Sequence, residues 1–254
     1  MVLKSGSNEV KGISKQKLSL VIPCYNEQEG IPWLAEKLNL ALPSLREKYV
    51  LEIIFVDDGS TDKTNELLHQ HFSHPDVKIV KHDHNKNLGA ALRTGFVHAT
   101  GDLVAALDSD CTYQPQLIAT MATMINEDTD IVTVSPYHPL GKVHNVPAYR
   151  LFLSKSVSRL YRMLLKSDLH TFTAMVRVYK KEVVKNVSFD SNTFLGVTEV
   201  LAKALLQGYK AKELPAELQV RRFGASKMKT LKVMRDHLGL LGKITKHKLV
   251  GAKI

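Results

Sequence analysis

A pair of carboxylates separated by one residue gives the sequence its clearest chemical signal. Asp108 and Asp110 directly follow the apolar residues 103–107, a run typical of a buried parallel strand. Ligands of open α/β sheets bind beyond the carboxyl ends of such strands. The two carboxylates repel each other unless a cation lies between them, and hard oxygen donors suit Mg²⁺ or Mn²⁺. The pattern therefore predicts either a divalent-cation site that also receives substrate phosphates or a solvated acidic turn.

Alternating strands and helices would position this turn. Apolar runs predict strands at residues 18–22, 51–56, 77–81, 103–107 and 130–134, and helical spacing predicts the helices between them. Ser60 and Thr61 are expected to cap the helix that ends near Phe72. Short connections predict a mostly parallel α/β sheet with helices on both faces. Polar clusters follow the first four strands, at residues 23–27, 57–62, 82–88 and 108–112, so all four should meet at one edge.

Charge is distributed unevenly along the 254 residues. The formal net charge of +10 favours an anionic partner, which could be nucleic acid, an acidic membrane or a phosphorylated substrate. From residue 221 onward Asp236 is the sole acidic residue, against Arg221, Arg222, Lys227, Lys229, Lys232, Arg235, Lys243, Lys246, Lys248 and Lys253. We expect a flexible leader at residues 1–16, a catalytic domain at 17–227 and a basic amphipathic tail at 228–254.

Several function classes lack their motifs. No segment carries the GxxxxGK[ST] phosphate loop or a GxGxxG after the first strand, so phosphates would be held by cations and metal instead. No window approaches the roughly 18 consecutive apolar residues of a membrane span, and the start of the chain is too polar for a signal peptide. Cys24 and Cys111 do not make a disulfide framework, which favours a reducing cytoplasmic setting.

Together these motifs resemble glycosyltransferase family 2, and within it the dolichyl-phosphate mannose synthase group. The segments that carry the resemblance are VIPCYNEQEGI, FVDDGSTDKT, NLGAALRTGF, DSD and RRFGASK, within residues 18–229. The resemblance implies a Rossmann-like GT-A fold and a Mg²⁺ or Mn²⁺ cofactor. It further implies inverting transfer of a hexose from GDP-mannose or a UDP-sugar to a polyprenyl or dolichyl phosphate.

The same resemblance implies roles for individual residues. Nucleotide-sugar contacts would come from Pro23, Tyr25, Glu27, Val56, Asp58, Asp108, Ser109, Asp110, Arg221 and Lys227, with Asp108 and Asp110 on the metal. The catalytic set would be Asp110, Arg221 and Lys227, and Arg177 would bind the acceptor phosphate. Two positions depart from the family: Thr112 replaces a glutamine that assists the metal, and Pro136 replaces an arginine on the acceptor side.

Two amphipathic segments predict contact with a membrane. In residues 148–166 an apolar face of Leu153, Val157, Leu160 and Leu164 opposes a cationic face of Lys155, Arg159, Arg162 and Lys166. In the tail, Leu231, Met234, Leu238 and Leu241 share a face flanked by cations. This pattern is typical of helices that lie on anionic interfaces, although a solvated basic surface helix would show it as well. We therefore expect peripheral attachment at the cytoplasmic face of an anionic membrane, with or without a membrane-anchoring partner protein.

Other functions remain open at this stage. A saccharide hydroxyl acceptor would need a base, and Glu199 is the best placed carboxylate in the sequence. A sugar nucleotidyltransferase would need a Gly-rich loop near its first strand. A non-catalytic nucleotide- or nucleic-acid-binding protein would explain the charge. However, aromatic residues make up 7% of the chain and no recognition motif occurs, so no nucleic-acid partner is expected.

Overall fold

A computed structural model of the protein describes residues 15–223 and 230–251. The strands are β1 (Lys17–Cys24), β2 (Val50–Asp57), β3 (Val77–Lys81), β4 (Leu103–Ala106), β5 (Ile131–Ser135), β6 (Lys142–Val143), β7 (Arg177–Lys180), β8 (Ala211–Pro215) and β9 (Glu217–Leu218). The helices are α1 (Ile31–Lys48), α2 (Thr64–His71), α3 (Leu88–His98), α4 (Leu117–Thr123), α5 (Ala148–Leu165), α6 (Lys181–Asn186), α7 (Leu195–Leu206) and α8 (Thr230–Val250).

The main sheet has seven strands in the order β3-β2-β1-β4-β7-β5-β8. Strands β1 to β4 are mutually parallel, and β7 runs antiparallel between β4 and β5. Strands β2 and β3 lie in succession on one side of β1, and β4 lies on its other side. The carboxyl ends of β1 and β4 therefore form a topological switch point, where open α/β sheets bind ligands. The predicted mostly parallel sheet is confirmed.

Two apolar layers cover the two faces of this sheet. Successive side chains of a strand point to opposite faces, so Leu20 and Ile22 of β1 join one buried cluster and Val21 joins the other. Helices α1, α2 and α4 pack over the first face. Helices α3 and α5 to α8 pack over the second. The prediction of helices on both faces is confirmed.

The loop before α2 differs from its prediction. Helix α2 begins at Thr64, and its N-cap residue Lys63 makes no side-chain capping bond. Ser60 Oγ instead accepts the backbone N–H of Asn26 at 2.9 Å, and Asn26 Oδ1 accepts that of Thr61 at 2.8 Å. Ser60 and Thr61 are therefore not the helix caps that we expected, because both brace the loop that follows β1.

Helix α8 belongs to the same packed structure as the sheet. Its Leu240 and Ile244 are buried in the cluster beneath α5 and α7. Lys248 Nζ donates to the carbonyl of Leu164 at 2.6 Å, which satisfies a backbone acceptor at the end of α5. No described helix is both long enough and apolar enough to span a bilayer.

Packing against α8 also changes which face of α5 is exposed. Val157 of the predicted apolar face is buried, whereas Leu160 of the same face is 44% exposed. The large apolar side chains on the exposed surface of α5 are Tyr149, Phe152, Leu160 and Met163. The predicted apolar face was therefore wrong in part: α5 buries one apolar stripe in the protein and presents another to solvent.

The start of α3 packs directly against the backbone of the loop before α7, with no room for a side chain at Gly89. Gly89 donates its N–H to the carbonyl of Asn192 at 2.8 Å, and a Cβ at Gly89 would lie 2.1 Å from the carbonyl oxygen of Ser191. Because backbone atoms cannot turn aside, Gly89→Ala should lower the free energy of unfolding by about 1–3 kcal/mol in urea titrations.

Gly239→Ala on helix α8 is the matched control, since a Cβ at this position would have no neighbour within 4 Å among the described residues. Helix propensity alone should raise stability by up to about 1 kcal/mol in that variant. Equal effects of the two substitutions would contradict the described contact at Gly89.

Candidate active site

A cleft of about 870 Å³ lies at the sheet edge where β1 and β4 end. Its walls include the segments after β1, β2, β3, β4 and β9, the start of α3 and the chain just before and within α5. The predicted residues Pro23, Tyr25, Glu27, Asp58, Asp108, Ser109, Asp110 and Arg221 all line it. The polar clusters that follow separate strands therefore meet at one site, as the sequence predicts.

Two further residues were predicted to contact the donor, Val56 and Lys227, and the structure describes one of them. Val56 is fully buried in the core beneath the sheet edge, so its side chain cannot contact a base from that position. Lys227 lies outside the described residues. Its predicted role stays a prediction.

Asp58 is held by a network that the sequence analysis did not identify. His82 Nδ1 lies 2.7 Å from Asp58 Oδ1, Asn85 Nδ2 donates to Oδ2 at 3.0 Å, and the N–H of Lys86 donates to Oδ1 at 2.9 Å. On its other side, His82 Nε2 contacts Thr94 Oγ1 at 2.9 Å. The carboxylate is therefore fixed in one orientation at the cleft wall. The position of the polar cluster directly after β3 was the one sequence signal that pointed to these residues.

The two carboxylates of the acidic turn lie at the floor of the cleft. Asp110 Oδ1 accepts the N–H of Thr112 at 3.0 Å, and Cys111 between them adopts a left-handed backbone with φ of 53°. Burial, followed by repulsion from Asp110, raises the pKa of Asp108 well above its usual range. Such a destabilised pair of anions favours a cation.

Arg221 supplies the positive charge beside them. Its guanidinium pairs with Glu27, and its Nη1 lies 3.6 Å from Asp110 Oδ2. The short parallel ribbon of β6 and β9 brings Arg221 to this position. Gln219, just after β9, donates its N–H to the carbonyl of Thr112 at 2.9 Å, which ties the ribbon to the acidic turn.

The donor set fits a divalent cation that shares its coordination with a substrate. Within the described ranges, no three or more His, Cys, Asp or Glu side chains gather around one metal position. Asp108 and Asp110 are two hard oxygen donors, and Mg²⁺ is commonly held by one or two carboxylates together with substrate phosphates. These two residues could therefore hold Mg²⁺ or Mn²⁺ together with a bound diphosphate.

Arg177 occupies a structural position below the site. It has no exposed surface, and its guanidinium donates to Thr133 Oγ1 at 3.1 Å and to the carbonyls of Phe172 (2.6 Å) and Val197. Its charge opposes, without cancelling, the rise in the pKa of Asp108 that burial and Asp110 cause. Arg177 is therefore too buried for the expected contact with an acceptor phosphate. Its hydrogen bonds instead hold the chain segments beneath the site together.

Glu199, the candidate base for a hydroxyl acceptor, also has structural partners. It is buried, accepts the N–H of Ser191 at 2.9 Å and that of Asp190 at 3.2 Å, and pairs with Lys203 at 2.9 Å. It fixes the loop before α7 and is not among the residues that line the cleft.

A second cavity of about 280 Å³ adjoins the cleft. Asp108 and Arg150 line both cavities, so the two spaces meet at these side chains. Hydroxyl groups on the walls of the smaller cavity come from Tyr113, Tyr137, Ser154, Thr171, Thr173 and Thr198. Sequence reasoning did not identify Arg150, because its spacing on α5 gives no sign that it faces a cavity.

Solved structures share this architecture. Glucosyl-3-phosphoglycerate synthase from Mycobacterium tuberculosis, in complex with Mn²⁺, uridine diphosphate and glucosyl-3-phosphoglycerate, superposes with a TM-score of 0.69 at 18% identity, over 90% of this chain and 80% of that one. A complex of the same enzyme with Mg²⁺ and uridine diphosphate gives the same score at 17% identity, over 90% and 79%. The fold is therefore that of the GT-A glycosyltransferases, as the sequence predicts.

The chain belongs to glycosyl transferase family 2, which matches residues 19–188. It is 33% identical to dolichol-phosphate mannosyltransferase of Pyrococcus furiosus over 84% of this chain and 59% of that protein. It is 30% identical to polyprenol monophosphomannose synthase of Mycolicibacterium smegmatis over 84% and 81%. The chain therefore spans less than two thirds of the Pyrococcus relative. The predicted family is confirmed.

Asp110→Asn tests the cation site. Removing one negative charge should weaken GDP or UDP binding by about tenfold or more in Mn²⁺, because charged hydrogen-bonding and metal contacts carry roughly 1.5–3 kcal/mol. In EDTA the same substitution should change affinity little or strengthen it. Calorimetric titration in both conditions measures the difference.

Asp128→Asn is the control, because this carboxylate is 81% exposed and pairs with Lys210 at the surface. It should bind nucleotide like the parent protein in both conditions. Equal weakening of Asp110→Asn in Mn²⁺ and in EDTA would show that Asp110 does not act through a cation.

Proposed function

We propose that this glycosyltransferase moves a hexose from a nucleotide diphosphate sugar to a polyprenyl phosphate at a membrane surface. The observation that carries the proposal is the junction of the two cavities. The larger cavity has the acidic pair and Arg221, which suit a diphosphate, and the smaller cavity meets it at Arg150, a second cation. Two anionic groups could thus approach each other from opposite sides of Asp108.

The donor would occupy the larger cleft. Tyr25 offers a ring face and Asp58 a fixed carboxylate to the base or ribose. A cation on Asp108 and Asp110 would neutralise charge on the diphosphate. Arg221 forms ion pairs with Glu27 and Asp110 in the structure. From this position its guanidinium could stabilise the negative charge that develops on the departing nucleoside diphosphate.

The acceptor would occupy the smaller cavity with its phosphate near Arg150. Arg150 Nε donates to the hydroxyl of Tyr149 at 3.1 Å, and no carboxylate of residues 15–223 or 230–251 forms an ion pair with Arg150. An arginine fork matches phosphate oxygens well. Arg150 would therefore supply the acceptor-side cation that Pro136 does not provide and that Arg177 is too buried to provide.

A phosphate acceptor agrees with the chemistry of the walls. A phosphate oxygen is already anionic, so it could attack the anomeric carbon directly as the bond to the donor diphosphate breaks. A saccharide hydroxyl would need a base. Within the described chain, the carboxylates that line the cavities are Glu27, Asp58, Asp108 and Asp110, and three of them have cationic or hydrogen-bonding partners in the structure. Glu199 is committed to its own loop.

We propose a peripheral position on the cytoplasmic face of a membrane, and the exposed surface of helix α5 supports the membrane contact itself. The helix begins at the cavity junction, and its exposed apolar stripe includes Phe152 at 70% and Met163 at 67% exposure. Lys155 and Arg159 are exposed on the same helix. Apolar side chains next to cations suit an anionic interface, where each cation contributes about 1 kcal/mol. A lipid acceptor would then reach the smaller cavity from the bilayer.

Transfer assays with a matched pair of arginine variants test the function. The full chain is supplied with radiolabelled GDP-mannose or UDP-glucose, Mn²⁺ and a polyprenyl phosphate in vesicles, and label in the organic phase is counted. Arg150→Gln should raise the KM for the lipid phosphate by about tenfold to a hundredfold, the equivalent of a lost charged hydrogen bond. The KM for the donor should change little.

Arg159→Gln removes the same charge from an exposed position of α5 and should keep the KM for the lipid phosphate within about fivefold, the effect of one peripheral cation on membrane binding. A larger effect of Arg150→Gln on the donor would assign Arg150 to the nucleotide diphosphate instead. Absence of lipid-linked label with every donor, together with transfer to a soluble sugar, would contradict the proposed acceptor.

Vesicle flotation tests the membrane surface separately. Phe152→Glu removes an apolar contact and adds a charge that anionic lipid repels, so partitioning onto anionic vesicles should fall by about tenfold or more. Val97→Glu makes a similar change at a residue that is 82% exposed on α3, and it should leave partitioning unchanged. Equal partitioning of both variants would exclude α5 as the contact surface.

A further inference from the structure

The three residues at the end of the described segment after β9 make contacts in two directions. Arg221 turns inward to Glu27 and Asp110. Arg222 and Phe223 contact Trp33 on helix α1: the Arg222 guanidinium lies 4.3 Å from the centre of the indole ring, and the Phe223 ring meets it edge-on at 6.4 Å. The segment is therefore attached both to the active site and to α1.

The two attachments are mechanically linked. Arg221 Nε donates to the carbonyl of Phe223 at 2.7 Å, which closes a tight turn within the segment. A displacement of Phe223 from Trp33 would therefore move the acceptor that orients the Arg221 guanidinium. The Arg222 guanidinium also lies 5.6 Å from the Phe223 ring centre, so the three side chains form one cluster.

The surroundings of Trp33 hold its ring in place and expose it to cations. It is half-buried against the core beneath α1, which fixes its ring. Lys37, one helical turn further along, lies 3.9 Å from the ring centre. Two cations over one indole make use of the negative potential of its π face, and tryptophan is the side chain that binds cations best in this way. An aliphatic side chain could fill the same space but could not bind these cations, because it has no π face.

We propose that Trp33 is a positioning residue that holds Arg221 over the diphosphate site by docking Arg222 and Phe223. The proposal rests on the proposed function, because it assigns Arg221 to the departing nucleoside diphosphate. Trp33 itself touches neither donor nor acceptor: it is not among the residues that line either cavity. Its effect on transfer would pass through Arg221.

Kinetics of two Trp33 variants distinguish docking from simple packing. Trp33→Leu keeps an apolar side chain but removes the π face, and kcat should fall by about fivefold, the scale of one cation–π contact, with the donor KM within about twofold. Trp33→Phe restores a ring face and should recover most of kcat. A packing role alone would make the two variants equally active and would show in their melting temperatures instead.

Lys37→Met is the matched control. The substitution removes the other cation from the same ring. Lys37 itself makes no described contact with residues 221–223. The kcat of this variant should stay within about twofold of the parent value, since Arg222 and Phe223 keep their docking site. A fivefold loss in Lys37→Met would indicate that the charge near α1, rather than docking by Trp33, supports transfer.

Fluorescence tests the contact without any substrate. Trp33 is the single tryptophan of the chain, so intrinsic emission reports on this cluster alone. Arg222→Gln should raise the acrylamide quenching constant by about 1.5-fold or more, because the guanidinium no longer covers the ring. An unchanged quenching constant, or full activity of Trp33→Leu in an enzyme whose parent form transfers sugar, would overturn the inference.

Failure of the proposed function would look different, because the parent protein itself would then transfer no sugar. In that case GDP and UDP binding in Mn²⁺ is compared between Trp33→Leu and Trp33→Phe. Weaker binding in the leucine variant alone would support the positioning role. Equal affinity in the two variants would overturn it.

Discussion

Repulsion between two neighbouring carboxylates is the constraint around which the site is built. Asp108 and Asp110 are held together at the floor of a cleft, where burial and their mutual repulsion disfavour two full negative charges. The protein keeps this arrangement by placing Arg177 below it and Arg221 beside it. The remaining negative charge favours a cation, which is why we propose that a divalent metal and the donor diphosphate bind at this point.

The order of the strands makes this concentration of charge feasible. Because β1 and β4 are neighbours at the switch point, the loops that follow them face each other across one crevice. The β6–β9 ribbon then brings Arg221 from a distant part of the chain, and the backbone hydrogen bond from Gln219 to Thr112 ties the ribbon to the acidic turn. A charge cluster of this kind needs a stiff frame, which two buried layers on the sheet provide.

The acceptor side follows from how α5 is packed. Its buried stripe rests on α7 and α8, and this orients the first turn so that Arg150 reaches the junction of the cavities. The opposite stripe, with Phe152 and Met163, is then left exposed. One helix thus carries both the proposed membrane-facing surface and the cation proposed to bind the acceptor phosphate, and its packing on α7 and α8 orients both.

The sequence by itself determined local features: strands β1 to β5, the helices between them, the mostly parallel character of the sheet, and the acidic turn at its carboxyl edge. These depend on periodicity and on residue type, which are visible within a few residues. Only the tertiary structure decided that Arg177 is buried, that Glu199 fixes a loop, and that Arg150 reaches the site. The same is true of the exposed face of α5. An amphipathic pattern shows that a helix has two faces, but contacts between residues far apart in the chain decide which face is covered and which cation lines the cleft.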